Sequence, residues 1–411
     1  MRTTLLFAFA LLLVYSLPAQ VVNDSVSLTP GYANQVFYSM NNGEAGSSDN
    51  TNWDLAIEAF GFSAAIRVNG SQDVQLYAHK NGDNSDFGTA IDTSGMQRLY
   101  NSDTMWSKGA GNMTADPNNL VDLGWGIYNT TTHHVTGDSM FVLRLSDGTW
   151  KQIDFVRLAG GVYEFRHADL DGSNAVTAMG DKANYTGKNF MYYSVADNMF
   201  LDREPSVPWD LVFTGYQTAL APGVWYGVTG VLSNAGVSVA EAGGLSNPNG
   251  YMDYTSHTFD NKINTIGWDW KTFSFQNGFI VDDSLAYFVS DRLGRVWRIV
   301  FTAFAGSSSG DVHFDKELIA NVNADATADI QAFEMYPNPS TDGNVNIVYD
   351  IRADRAELTI TDLSGRTVRR MDAPRSGFQN LYLSLNDLEA GMYIVTLTTE
   401  KQSTNRKLIL R

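Results

Sequence analysis

Cysteine is absent from all 411 residues. That excludes disulfides, thiolate zinc sites, iron–sulfur clusters, cysteine nucleophiles and a lipid-modified N-terminal cysteine. Basic side chains are scarce, with 28 Lys and Arg against 45 Asp and Glu for a net charge of −17. Nucleic acid and anionic membrane surfaces are therefore excluded as partners, because both are recognised by clustered cations. Long apolar runs are also missing. The longest, Leu5 to Val14, has ten residues, too few to cross a hydrocarbon core of about 30 Å. What is present is apolar enough to fold: 44% of the residues are hydrophobic, which argues against general disorder. At roughly 100–200 residues per domain the length corresponds to two to four domains.

The N-terminal segment 1–20 has the layout of a secretory signal peptide: Arg2 ahead of the apolar run, then small-residue cleavage chemistry at Leu17-Pro18-Ala19. With no later stretch long enough to span, the sequence predicts a protein exported by the Sec route and without a transmembrane span.

From Val26 onward, short runs of Val, Ile, Tyr, Phe, Trp and Thr alternate with Asn-Gly, Asp-Gly and Gly-Ser punctuation. Phe141 to Leu145, Ser146-Asp147-Gly148 and Trp150 to Leu158 read as a hairpin around an Asp-Gly turn. The expectation is an all-β protein with antiparallel sheets. Landmarks recur in order along the chain. Phe37-Tyr38-Ser39-Met40 and Trp53-Asp54-Leu55-Ala56 return as Tyr192-Tyr193-Ser194-Val195 and Trp209-Asp210-Leu211-Val212, and Gly124-Trp125 returns as Gly267-Trp268. Ile153 and Phe155 likewise return as Ile299 and Phe301. This spacing predicts two related β-domains at 21–178 and 179–320, a polar linker at 321–332 and a last domain at 333–411. Each Trp-Asp pair reads as structural, the indole filling core and the carboxylate capping a turn or edge.

Catalytic signatures are lacking, and the chain reads as non-enzymatic. Gly306-Ser307-Ser308-Ser309-Gly310 fits a nucleophile elbow by letter, but Asp311-Val312-His313-Phe314 continues as a strand where a helix is needed. Asp169 and Asp171, in Asp169-Leu170-Asp171-Gly172-Ser173-Asn174, read as an Asx turn, with calcium coordination as the alternative.

The last 79 residues read as a sandwich of about seven short strands. Tyr336-Pro337-Asn338-Pro339-Ser340, then Asp362-Leu363-Ser364-Gly365-Arg366, then Leu388 to Val395 with Gly391 and Tyr393, then Lys407-Leu408-Ile409-Leu410-Arg411 follow in order. This set closely resembles the type A C-terminal sorting domain of type IX secretion cargo. The resemblance implies a signal read by the type IX translocon, export across the outer membrane of a Gram-negative bacterium, and a secreted or surface-attached product. An immunoglobulin-like module is the alternative. On the residues themselves, Pro337 and Pro339 fix an extended approach to the first strand, and Gly391 is expected to permit a bend. Residues 333–411 hold ten acidic and ten basic side chains, so the acidic excess lies wholly in the preceding passenger.

Trp209 to Tyr216, Trp225 to Ala240 and Asp147 to Phe165 make the passenger resemble the HmuY-type haem-binding family. That resemblance implies a β fold and haem held between two side chains. The candidates are His133, His134, His167 and Met140, with Met113 as a further thioether; neutral imidazoles or thioethers facing across an apolar slot are what haem requires. The competing reading is an adhesive or structural surface protein whose Trp and Tyr side chains meet a glycan or a protein partner.

Overall fold

A strand that buries both faces needs apolar residues at consecutive positions, and two strand pairs at the centre of the passenger have them. The computed structural model describes residues 20–61, 63–79, 83–321, 329–336, 338–341, 343–353, 355–374 and 377–411. The expected signal segment, most of the expected linker and Pro337 lie outside these. Asn34–Ser39 is buried from Gln35 on, and Leu55–Glu58 is buried throughout. Alternate residues of each strand point to opposite faces. Leu55 and Ile57 join one core with Trp125, Phe155 and Phe165, whereas Ala56 joins Trp53, Phe190 and Tyr192 on the other side. Val36 and Tyr38 likewise enter a core with Trp270, Phe301 and Phe314, while Phe37 meets Trp209 and Tyr216. Trp106 packs against both of these clusters, which face each other across the middle of the stack. The passenger is therefore a stack of four antiparallel sheets with a seam between the inner two.

The sheets exchange strands between the two halves of the sequence. Asn34–Ser39 pairs with Leu211–Ala221, and Leu55–Glu58 pairs with Phe190–Ser194. The first aromatic-Ser strand thus lies beside the second Trp-Asp strand, and the second beside the first. The N-terminal strand Val22–Ser27 closes the outer sheet of the far unit against Asp311–Asn321. Contiguous domains at 21–178 and 179–320 must be corrected accordingly: the cores show one unit built from about 53–203, inserted into another built from the flanking segments. The reason is register. Asp54 accepts the Val195 N–H and Asp210 accepts the Met40 N–H, each at 2.7 Å, so each carboxylate latches a strand from the opposite half. Asn69 and Asn234 repeat the device, donating to the Trp53 and Trp209 carbonyls at 3.0 and 2.8 Å. The repeat also needs one adjustment, since the buried counterpart of Trp125 is Trp270 rather than the half-buried Trp268.

The C-terminal domain is a two-layer sandwich of seven strands, one sheet of three and one of four. It begins at Ile330, three residues before the expected boundary, because Ile330 is already paired with Ile351 and buried. Among the described residues no helix is long and apolar enough to cross a membrane.

Candidate functional site

The sorting-domain motifs that are far apart in sequence meet at one corner. Asn338 donates from Nδ2 to the Lys407 carbonyl at 2.5 Å and accepts the Ile409 N–H on Oδ1 at 2.9 Å. Ser340, fully buried, continues the pairing through Ile409 and Arg411. One edge of the terminal strand Ser403–Leu410 is bonded to Gly391–Thr399 and its end is clasped by the Asn-Pro-Ser segment. Pro339, which follows Asn338, is exposed. Tyr393 donates its hydroxyl to the Glu389 carbonyl at 2.7 Å. Gly365, at φ 84°, turns a loop in which the Ser364 hydroxyl, ahead of the Arg366 donors, holds the Asp362 carboxyl down at about 2. Gly391 does not fulfil the expected role. Its φ is not left-handed, and an added Cβ would meet the Tyr393 ring at 3.7 Å and the Glu389 carbonyl oxygen at 3.9 Å, both ordinary contacts.

The haem-ligand candidates are dispersed. His167 is 2% exposed, inside the aromatic core, with its Nε2 3.2 Å from the Tyr193 hydroxyl. Burial, helped by Lys151, pushes its pKa down to about 4, so the ring is neutral. Met140 is buried two strands from His167, opposite Asp154 where His167 is opposite Ile153, so the two side chains point to opposite faces of the sheet; Met113 is surface-exposed and His134 is exposed in a loop. His167 lies opposite Ile153, and Val135, next to His134, lies opposite Leu158 on the same central strand. Five residues of strand separate them, about 16 Å at 3.3 Å per residue. Two ligands of one iron must face each other across a single slot, so these residues do not fit a haem held between two of them.

His133 is placed differently. It sits at φ 58° with Nδ1 2.6 Å from the Tyr128 hydroxyl, on the rim of a cavity of about 500 Å³. The cavity is walled by Leu123, Tyr128, Val135 and Leu158, with Leu120 94% exposed at its lip and Gly160-Gly161 turning beside it. Ala64, another left-handed residue at φ 47°, is held in place by Trp125, which donates to its carbonyl at 2.9 Å. Lys182 closes one side, its Nζ donating to the Gly61 carbonyl at 3.3 Å and lying 5.4 Å from the centre of the Tyr163 ring. Burial lowers the Lys182 pKa, opposed by the charge of Glu58. Glu58 is buried and raised by that burial, with its oxygens engaged by the Ser63 hydroxyl and the Ala65 N–H. The Tyr163 hydroxyl is buried and has no hydrogen-bond partner among the described residues. Concave, mostly apolar walls with one placed charge are what a small-molecule site requires. Sequence reasoning missed Lys182, Glu58 and Tyr163, which follow no motif; only chain folding brings 58, 163 and 182 together.

The seam between the inner sheets is a different kind of space. It holds about 80 Å³, enough for a few waters. Its charged groups are used internally: Arg67 donates to the Ser102, Met105, Trp106 and Lys108 carbonyls, and Glu204 accepts from Asn189, Phe190 and Trp209. Asp169 and Asp171 are similarly occupied. Lys151 and Asn174 donate to Asp169 at 2.6 Å each, and Ser173 donates to Asp171 through both its N–H and its hydroxyl. Ser308, the central serine of the elbow-like stretch, donates to the Ala305 carbonyl at 2.9 Å in the loop between two paired strands. No group of three or more metal-ligating side chains occurs among the described residues.

A stacked-sheet passenger followed by a sandwich whose last strand is clasped by an upstream Asn-Pro-Ser segment defines a cargo protein with a C-terminal address. Residues 334–411 match the family described as the secretion system C-terminal sorting domain. The tail is thus a type IX sorting domain, and the chain is a type IX-exported protein of the cell surface or extracellular space. No curated protein matches the sequence. Among solved structures, PorZ, described as an essential bacterial surface component of the type-IX secretion system of Porphyromonas gingivalis, aligns at 10% identity over 68% of this chain and 44% of that one. The TM-score is 0.18, too low to assign the passenger a fold or a role. The chain spans less than half the length of that protein.

Proposed function

We propose that the passenger is a non-enzymatic binding module, carried to the surface by a Sec signal and the sorting domain, and that it takes a small apolar ligand in the cavity beside His133. The roughly 500 Å³ of mostly apolar space, with a single full charge among its described lining residues, carries this reading. It keeps the small-ligand expectation while replacing haem, whose two ligands find no common slot. The neutral fluorophore N-phenyl-1-naphthylamine tests it: emission should rise on titration into the mature chain and fall in Leu158→Trp, whose indole would occupy the cavity. Equal emission in both proteins contradicts the site.

The adhesive alternative has an observation of its own. The hairpin Lys271–Ser274 and Gly278–Val281 presents Phe275 at 99% exposure and Phe273 at 57%, on a base fixed by Phe279 against Phe304. Exposed aromatic side chains are enriched at protein interfaces. Retention of partner or cell-surface binding by Leu158→Trp and its loss in Phe275→Ser would favour that reading over the cavity.

A further inference from the structure

A ligand that fills the cavity must answer the charge in its wall. Lys182 is the only described lining residue with a full charge, and among the described residues its ammonium makes one hydrogen bond, a long one to the Gly61 carbonyl. Two of its three N–H groups are left for a ligand or water. Glu58 does not neutralise it by contact: the two act on each other through space, and both Glu58 oxygens already hold other donors. A wholly apolar occupant would strip water from this ammonium and give nothing back, a costly arrangement. A ligand acceptor at that point removes the cost. The Tyr163 ring underlies Lys182, with the ammonium 5.4 Å from its centre, and lies behind the lining rather than in it.

Resting on the ligand-binding reading above, we infer that the cavity takes an apolar molecule ending in a carboxylate, with the Lys182 ammonium as its head-group partner. A single lysine suits a monoanionic head. Bidentate phosphate recognition draws on the arginine fork, and no arginine is among the described lining residues. The apolar body lies along Leu123, Val135 and Leu158, and Leu120 at the lip extends the apolar surface outward.

The test uses the whole mature chain and two probes with the same body, cis-parinaric acid and its methyl ester, followed by the gain in polyene fluorescence. The acid is expected to bind at least about tenfold more tightly than the ester, the range of one charge-assisted hydrogen bond. In Lys182→Met the ratio should collapse to near one, through loss of acid affinity and an ester affinity at or above that of the unaltered chain, and an unchanged urea melt shows that the variant is folded. Equal binding of acid and ester by the unaltered chain, or a ratio that survives in Lys182→Met, overturns the head-group assignment and leaves the cavity standing. Failure of both probes to bind the unaltered chain overturns the cavity reading and this inference with it.

Discussion

Replacing Asn338 by Ala removes both bonds of the clasp, the donation to the Lys407 carbonyl and the acceptance of the Ile409 N–H. The site is partly exposed, so each bond contributes about 0.5–1.5 kcal/mol and the pair about 1–3 kcal/mol. The adjoining bonds of Ser340 to Ile409 and of Arg411 to Ser340 persist, each at 2.8 Å, and confine the loss to local opening rather than global unfolding. Hydrogen exchange in the full chain reads this directly: the Ile409 amide should exchange roughly ten to a hundred times faster in Asn338→Ala, at about 1.4 kcal/mol per factor of ten. Amides in the middle of the paired strand Arg355–Asp362, at Leu358 and Ile360, should be unchanged. Asn338→Asp keeps the acceptor and loses the donor, and should fall between. An Ile409 amide that exchanges at the original rate in Asn338→Ala would refute the claim that the two ends of the sorting motif stabilise each other.

Three further predictions concern titration and turns. His167 has a folded pKa of about 4 against an ordinary 6.5, so its contribution is complete above pH 6.5 and is lost as pH falls toward 4; His167→Phe should flatten that acid limb, by up to about 3 kcal/mol in urea melts. Burial, ahead of the nearby Asp291, raises Asp210 to about 6 from 3.8. Its ionisation therefore costs stability as pH rises from about 4 to 6, and Asp210→Asn should gain on the parent by up to about 3 kcal/mol between pH 4 and 8; a constant difference across that range would contradict the burial argument. Gly391→Ala should melt within about 0.5 kcal/mol of the parent, whereas Gly365→Ala, at φ 84°, should lose about 1 kcal/mol.

The all-β class was legible because alternation and turn pairs are local signals, and the Asp147-Gly148 turn forms as expected, with Met140–Arg144 paired to Trp150–Ala159. The sorting domain was legible because its motifs are short and ordered, although nothing in Asn338 itself announces that it reaches Lys407. The duplication could be read from Trp53-Asp54 and Trp209-Asp210, yet their connectivity could not. A latch carboxylate specifies that a strand is held, not which copy supplies it, and both aromatic-Ser strands satisfy the same geometry. The haem-family motif from Trp209 to Tyr216 lies in the buried inner sheet, where its apolar residues serve packing. His167 was singled out for sharing a face with Tyr163 and Phe165, and that same placement seals it in the core. Of the histidines considered, only His133 borders a cavity of ligand size, and the charge beside it, Lys182, comes from 49 residues further along the chain.

Native mass spectrometry of the mature protein recovered from its own secreting cells tests the central claim most directly. The account predicts an adduct of one small molecule that extracts into organic solvent, is present on the unaltered chain and is absent from Leu158→Trp. A bare mass for the unaltered chain after mild recovery, together with no rise in N-phenyl-1-naphthylamine emission, would contradict it.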